Sequence, residues 1–253
     1  METITIKHLT SNPRILSMAE CIENRVGTAI EIAANPPERQ KRAPAFLGWN
    51  HFRRCFTLLI IPEAPPSDMI ISHELMHAIM AIEGFPSLIT LGPMPDYINY
   101  KVVHTFDTVM HVDVWQMQER FGFSEKEQFN YGIEKMLIPR MERGDLFSDV
   151  PHGEGVCHLL CHLCAVQFCP ADVEIKQRAL AMAPEALGKF YPNFQRCCDK
   201  IYAALPLNAS NAFTLFESLL SEFQFHGQVC APAYNIVPPT KDFREIVYNS
   251  LCM

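Results

Sequence analysis

The chain has 253 residues, a formal net charge of -7, and a composition of 49% hydrophobic and 19% charged residues. A chain of this length and balance can bury a sizeable core, which excludes a disordered or collagen-like protein. Its basic residues are scattered, and the short cluster from Arg39 to Arg42 is too small for the broad basic face that a nucleic-acid partner needs.

The N-terminal part of the chain predicts one helix and two strands. Residues from about Asn12 to Asn24 have helical periodicity, and Gly27 to Ala33 alternates like a short strand. The stretch from Asn35 to Ala45 is rich in proline and charge, which predicts a surface loop. Cys55 to Ile61 is continuously apolar and ends at a proline, as is typical of a buried strand.

A helix with clear start and stop signals follows this strand. Ser67 or Asp68 can cap its N-terminus, Met69 to Glu83 has helical spacing, and Gly84 occupies the usual C-cap position. After a loop, a second helix runs over about 97–120. Further helices are predicted near 125–143, 153–168, 171–182, 184–204 and 210–224, before a less regular C-terminal tail. The predicted fold class is α+β, mainly α-helical, with a small N-terminal sheet and a helical C-terminal half.

The motif helix carries the sequence His-Glu-x-x-His at His73, Glu74 and His77. Histidines four residues apart lie on one face of a helix, so both imidazoles can reach one ion at about 2 Å. Glu74 lies beside such an ion without being a ligand. There its carboxylate can accept a proton from a water whose pKa zinc has lowered towards about 7. This motif on a helix is a signature of zinc peptidases.

Tetrahedral catalytic zinc needs a third protein ligand and one open position. The second helix offers His104, Asp107 and His111, which lie within about 60° of one another on a single face. We predict that His111 is the third ligand. We also predict that Asp107 does not bind the ion itself but hydrogen-bonds to one of its ligands and orients that ligand. Asp107 or His104 as the ligand remains an alternative.

The run HELMHAIM after a strand, followed by GFP and a second helix that ends in FGF, resembles the zincin superfamily. Within it, the chain is similar to the gluzincin-like arrangement, in which the helix after the motif helix supplies the third ligand. The resemblance covers about residues 55 to 123. No glutamate lies on the second helix before Glu119, and Met80 interrupts the longer metzincin motif.

The resemblance implies a single zincin-like domain over residues 1–253, with a core over about 25–123 and a helical extension over about 124–253. It also implies a bound zinc ion and a peptide or protein substrate. Many zincins use a His or Tyr outside the ligand set to stabilise the oxyanion. The candidates for this role are Tyr97, Tyr100, His152 and His158.

A helix rich in Cys and His extends from Cys157 to Cys169. Cys161 and Cys164 form a CxxC pair, so a second, structural metal is an alternative interpretation. No turn residues surround this pair and no second CxxC accompanies it, which favours cysteines that serve as small apolar core residues.

The ten cysteines crowd into apolar helical stretches, which indicates reduced thiols rather than disulfides. No apolar run approaches the roughly 18 residues that a bilayer-spanning helix needs, and the N-terminus has no apolar signal region. We therefore expect a cytoplasmic protein with no membrane partner.

Together these features predict a zinc metallopeptidase that cleaves a peptide or protein substrate with Glu74 as general base. The alternative is a non-catalytic zinc-binding interaction or regulatory protein that retains a zincin fold. The sequence does not predict an oligomeric state.

Overall fold

The computed structural model describes residues 4–35, 45–86, 96–144, 154–222 and 238–252. Its strands are β1 (Glu31–Ala34), β2 (Ala45–Asn50) and β3 (Cys55–Ile60). Its α-helices are α1 (Pro13–Val26), α2 (Asp68–Glu83), α3 (Asp96–Phe121), α4 (Lys126–Gly132), α5 (Ile138–Arg143), α6 (Glu154–Phe168), α7 (Val173–Ala181), α8 (Ala183–Leu187), α9 (Tyr191–Ala204), α10 (Ala209–Glu222) and α11 (Phe243–Leu251). The described chain is mainly helical with a small three-stranded sheet, which confirms the predicted fold class at this level.

The described residues group into two compact units. Unit 1 contains residues 4–35, 45–85, 120–123 and 238–252, and unit 2 contains residues 86, 96–119, 124–144 and 154–222. None of the helices described in either unit is both long and apolar enough to cross a bilayer. The organisation of the chain as one domain stays a prediction.

The sheet of unit 1 has the strand order β1-β3-β2. The central strand β3 pairs in parallel with β1, where Glu31 is opposite Thr57. It pairs in antiparallel with β2, where Leu47 is opposite Leu58. A turn over residues 51–54 joins β2 to β3. The strand order leaves β2 at one edge of the sheet.

Half of the residues of helix α2 are buried in unit 1. Ser67 caps its N-terminus by accepting the Ile70 N–H, and Gly84 ends it with φ 91°. Its fully buried apolar side chains are Ile71, Leu75, Met76, Ala78, Ile79, Met80 and Ile82. Helix α2 packs along β2 and against α1 and α11. Burial on several sides fixes the direction in which the remaining polar positions of α2 point.

Polar contacts anchor α2 at both ends. At its start, Thr10 and Asn12 donate hydrogen bonds to the Asp68 carboxylate at 2.6 and 3.0 Å. At its end, the guanidinium of Arg244 forms two hydrogen bonds with Oε2 of Glu83, at 2.8 and 2.5 Å. These contacts hold α2 against α1 and α11, so the axis of the motif helix is constrained.

Unit 2 is built from helices. Helix α6 packs against α7, α8 and α9, and α9 packs against α10. Phe106 of α3 meets Phe216 edge to face, with ring centroids 5.6 Å apart, and Trp115 meets Phe129 in the same way at 5.0 Å. These aromatic contacts attach α3 to α4 and α10 within unit 2.

The helix predicted near 125–143 is interrupted by a π-helical turn over Ile133–Leu137. Pro139 follows this turn. Because proline has no N–H and its ring clashes with the carbonyl four residues earlier, a regular α-helix cannot continue through it. The helix widens instead, and the Ile138 N–H bonds to the Ile133 carbonyl five residues back. In a similar way, Gly188, with φ 52°, divides the helix predicted near 184–204 into α8 and α9.

One sequence prediction is wrong: the sequence predicts an irregular C-terminal tail, whereas Phe243–Leu251 forms α11 with Phe243 and Val247 buried. Residues 46–54 have no predicted element, and β2 (Ala45–Asn50) begins at the last residue of the predicted loop. Both elements are short; β2 is stabilised by pairing with β3 and packing against α2, and α11 by packing against α1 and α2. The predicted loops at 35–45 and 85–95 lie mostly outside the described residues.

Candidate metal centre

His73 and His77 lie one turn apart on α2, and their rings meet edge to face. Their centroids are 5.1 Å apart and the ring planes meet at 68°. An ion held tetrahedrally by two ring nitrogens at about 2.0–2.1 Å places the two imidazole centroids about 5 Å apart. Both histidines are half-buried. The pair therefore has the separation that chelation of one ion requires.

Glu74 lies at the free edge of the sheet. Its Oε2 accepts the main-chain N–H of Leu47 in β2 at 2.8 Å. Because this N–H donates its hydrogen bond to Glu74, it points away from β3 and towards α2. The strand edge therefore constrains the orientation of the Glu74 carboxylate. Sequence reasoning missed this partner because a main-chain N–H leaves no residue-type signal.

His111 is oriented by its own helix, α3. Its Nδ1 is 2.7 Å from the main-chain carbonyl oxygen of Asp107. Since a carbonyl only accepts, Nδ1 carries the proton and Nε2 keeps the lone pair that a metal needs. The ring also stacks on Trp115, with centroids 5.7 Å apart and planes at 28°. The contact between Asp107 and His111 is thus made by the main chain.

His73, His77 and His111 form a group of side chains that could hold a metal ion. One ligand atom each of His73, His77 and His111 lies within 4.8 Å of the other two. Among the described residues, this is the one such group of three or more His, Cys, Asp or Glu side chains. All three are half-buried. Three neutral imidazoles suit zinc, copper, iron or nickel, so the donor set fits a transition metal without singling out zinc.

His104, an alternative ligand in the sequence, has different neighbours. Its ring lies 5.0 Å from that of His158 in α6, and His158 lies 4.1 Å from His162. Burial, together with the charge of His162, lowers the pKa of His104 to about 4. Burial and the neighbouring positive charges likewise lower the pKa of His158 to about 4. Neither His104 nor Asp107 belongs to the group of three.

The oxyanion candidates are only partly described. His158 lies in the contact with His104, whereas His152 and the side chains of Tyr97 and Tyr100 lie outside the described residues. The choice among these four residues stays a prediction.

The cysteines of α6 are buried and carry free thiols, as expected of core residues. Hydrogen bonding to Cys157, together with burial, raises the pKa of the Cys161 thiol. Contacts with Cys197 and Cys198 raise that of Cys164. Raised pKa values favour the neutral thiol over the thiolate that binds metals. Neither member of the CxxC pair belongs to a described three-ligand group.

No protein-family model matches the chain, and comparison with curated proteins and with solved structures finds no significant match. The chemistry of the site therefore has to be inferred from its own side chains.

Proposed function

We propose that the chain is a zinc metallopeptidase with a zincin-like core, acting on a peptide or protein substrate. In this proposal His73, His77 and His111 hold the zinc ion and Glu74 is the general base. The observation that carries it is the convergence of one ligand atom from each of these histidines within 4.8 Å. Glu74 directly follows the first of them, on the same buried helix.

The proposed ligand set leaves one coordination position of the zinc ion open for water or substrate. Three protein ligands and an open fourth position are typical of catalytic zinc, whereas structural zinc has four protein ligands. A zinc ion bound there supplies a Lewis acid that lowers the pKa of water and polarises a carbonyl group. Glu74 accepts a proton from the attacking water as the new C–O bond forms. It then delivers that proton to the amine nitrogen as the C–N bond breaks.

Free, buried cysteines suit a reducing compartment, so the proposal includes a cytoplasmic site of action. It requires no nucleic-acid or membrane partner.

The substitution Glu74→Gln tests the catalytic role. Glutamine keeps the size of the side chain and can still accept the Leu47 N–H, but it cannot take up the proton. We expect cleavage of a quenched fluorogenic peptide library to fall by about 10²- to 10⁴-fold. Zinc content by elemental analysis stays at the wild-type level. The matched control is Glu63→Gln, at an exposed position of unit 1, which retains full activity.

Metal content tests the ligand set separately from catalysis. We expect His73→Ala, His77→Ala and His111→Ala each to lose zinc, while His104→Ala retains this ion. A His111→Ala protein that binds zinc as tightly as the wild type would contradict the proposed third ligand.

The second candidate is a non-catalytic zinc-binding protein. The hydrogen bond from Leu47 to Glu74 favours it, because it gives this carboxylate a role in joining β2 to α2. In that case zinc binds to the wild type, and no member of the peptide library is cleaved by the wild type or by Glu74→Gln. If the wild type cleaves a peptide and Glu74→Gln does not, the result supports the peptidase function over the non-catalytic one.

A further inference from the structure

Trp115 is the aromatic neighbour of the candidate third ligand, His111. It lies one turn further along α3, and residues four apart lie on the same side of a helix. The indole is buried, and its plane meets that of the imidazole at 28° with the centroids 5.7 Å apart. This is an offset-stacked arrangement of the kind that aromatic pairs favour. Because Asp107 holds Nδ1 of the same ring from the turn before, His111 is contacted from both directions along its own helix.

The indole of Trp115 is itself held in place within unit 2. Its ring meets that of Phe129 in α4 edge to face, with centroids 5.0 Å apart and planes at 79°. The next residue, Asn130, donates a hydrogen bond to the Asp172 carboxylate at 2.7 Å and accepts the Asp172 N–H at 2.8 Å. These two bonds attach α4 to the residue that precedes α7. The indole is therefore braced on an anchored helix and cannot turn freely with the imidazole.

A bound cation strengthens this stack. When a metal ion takes the lone pair on Nε2, the imidazole of His111 carries part of the positive charge of the ion. The face of an aromatic ring attracts a positive charge within about 6 Å, and tryptophan does so more strongly than tyrosine or phenylalanine. A neutral imidazole gains less from the same contact. The contact with Trp115 should therefore favour the metal-bound state over the metal-free state, beyond what it adds to the stability of the fold.

Helix α3 also provides an aromatic pair for comparison. Phe106 meets Phe216 of α10 edge to face, with centroids 5.6 Å apart, and so joins two helices of unit 2. It lies on the same helix as His111 but five residues before it. A substitution at Phe106 removes a comparable aromatic contact of α3 and leaves the stack on His111 in place.

We propose that Trp115 is a positioning residue of the metal centre. Its indole face fixes the plane of the His111 imidazole, so that Nε2 is presented to the ion, and it stabilises the charge that the bound ion places on that ring. This inference rests on the proposed metal site and deepens it, because it assigns part of the metal affinity to a side chain that is not a ligand.

The first experiment measures Zn²⁺ affinity of the full chain by competition with a chromophoric chelator. Trp115→Leu removes the aromatic face, and we expect it to weaken Zn²⁺ binding by about tenfold or more, as is typical of residues that orient a metal ligand. Trp115→Phe keeps an aromatic ring and should recover part of this loss. The matched control Phe106→Leu should melt at a lower temperature yet bind Zn²⁺ within about threefold of the wild type. Circular dichroism establishes that each variant folds.

A spectroscopic measurement separates positioning from stability. Co²⁺ replaces Zn²⁺ as the probe, because its visible absorption depends on the geometry of its ligands. At saturating Co²⁺, folded Trp115→Leu is expected to have absorption bands shifted from those of the wild type. Phe106→Leu is expected to keep the wild-type spectrum. A purely structural role for Trp115 would leave the spectrum of the folded, saturated protein unchanged.

Fluorescence tests whether the ion lies beside Trp115. The chain has two tryptophans, Trp49 and Trp115, so the emission of a Trp49→Phe protein comes from Trp115. Co²⁺ is expected to quench this emission in proportion to its binding. Adding His111→Ala should abolish the quenching.

The outcomes distinguish the positioning role from the metal site itself. If the wild type binds Zn²⁺ and folded Trp115→Leu binds it equally tightly with an unchanged Co²⁺ spectrum, the positioning role is overturned and the metal site stands. Equal weakening by Trp115→Leu and Phe106→Leu also overturns it, since the loss would then follow the stability of α3. A wild type that binds neither Zn²⁺ nor Co²⁺ overturns both proposals.

Discussion

His111 shows how main-chain contacts orient a side chain of the candidate metal site. Its proton is held by the carbonyl oxygen of Asp107 at 2.7 Å, and its ring is stacked on Trp115. The helix itself therefore sets both the tautomer and the orientation of the ring. The sequence-based prediction that the Asp107 carboxylate orients a ligand stays a prediction, and the described contact with His111 comes from the Asp107 carbonyl.

The substitution Asp107→Asn distinguishes these two roles. It leaves the main-chain carbonyl in place, so we expect zinc affinity to change by less than about threefold. Loss of a side chain that orients a metal ligand typically costs about 10- to 100-fold in affinity. Competition with a fluorescent chelator measures the difference. A loss of that larger size would show that the carboxylate, and not the carbonyl, orients the ligand.

At the scale of elements, the ends of α2 depend on local backbone conformation. Gly84 adopts φ 91°, and its N–H bonds back to the carbonyls of Met80 and Ala81. A side chain at this left-handed position is strained because Cβ approaches the following carbonyl. Gly132, in contrast, has the helical φ of -59°, and an added Cβ would meet nothing within 4 Å.

We therefore expect the same substitution to have opposite effects at these two positions. Gly84→Ala should lower the free energy of unfolding by about 1 kcal/mol. Gly132→Ala should raise it by about 0.5 to 1 kcal/mol, because alanine loses less backbone entropy in a helix. Urea denaturation measures both. Destabilisation at Gly132 would mean that the helix before the π-helical turn does not have the described conformation.

At the scale of the whole molecule, the C-terminal helix helps to hold the motif helix in unit 1. The Glu83 side chain is only 7% exposed and is paired with Arg244, which is 19% exposed. Removing the guanidinium would leave a nearly buried carboxylate without the positive charge that balances it. Arg120 and Glu245 form a comparable pair in the same unit, but their side chains are 41% and 45% exposed.

Arg244→Met should destabilise the protein by about 3 to 5 kcal/mol, because it leaves the Glu83 charge buried without its guanidinium. The double variant Glu83→Leu/Arg244→Met should recover most of this loss. Arg120→Met is the matched control and should cost no more than about 1 kcal/mol, since water screens an exposed pair. Chemical denaturation of all three variants measures the contrast. Equal losses at both sites would contradict the described burial of Glu83.

The stability of unit 2 should depend on pH through Asp172. Its carboxylate contacts Lys126 at 2.6 Å and Asn130 at 2.7 Å, and these partners lower its pKa below 3.8. A carboxyl group with a lowered pKa stabilises the fold above its ordinary value of about 3.9. That contribution disappears as the pH falls through the pKa of the folded state.

Asp172→Asn should therefore melt at a lower temperature than the wild type at pH 7. The two melting temperatures should converge once the pH falls below the pKa of this carboxyl group in the folded state, because the wild-type group is then protonated too. Thermal melts across this range measure the difference. A gap that persists unchanged at the lowest pH would show that the amide alters unit 2 in some way other than through charge.

Much of the fold was predictable because it depends on local sequence. Helix α2 has a capping Ser67, apolar residues at helical spacing and a terminal Gly84, and the structure places its ends at these signals. The strand β3 was predictable from its continuous apolar run. In contrast, β2 contains a glycine and few strong strand formers. It forms because β3 supplies the main-chain hydrogen-bond partners for an antiparallel pair. Helix α11 is short, and packing against α1 and α2 stabilises it.

The sequence by itself determined the spacing of His73, Glu74 and His77, because a helix repeats every 3.6 residues and sets their directions. It also narrowed the candidates for a third ligand to one face of α3. Only the tertiary structure decided that His111 joins the pair, that His104 instead meets His158, and that the Leu47 N–H holds Glu74. These contacts join residues far apart in the chain. They depend on how separate elements pack, which local periodicity does not encode.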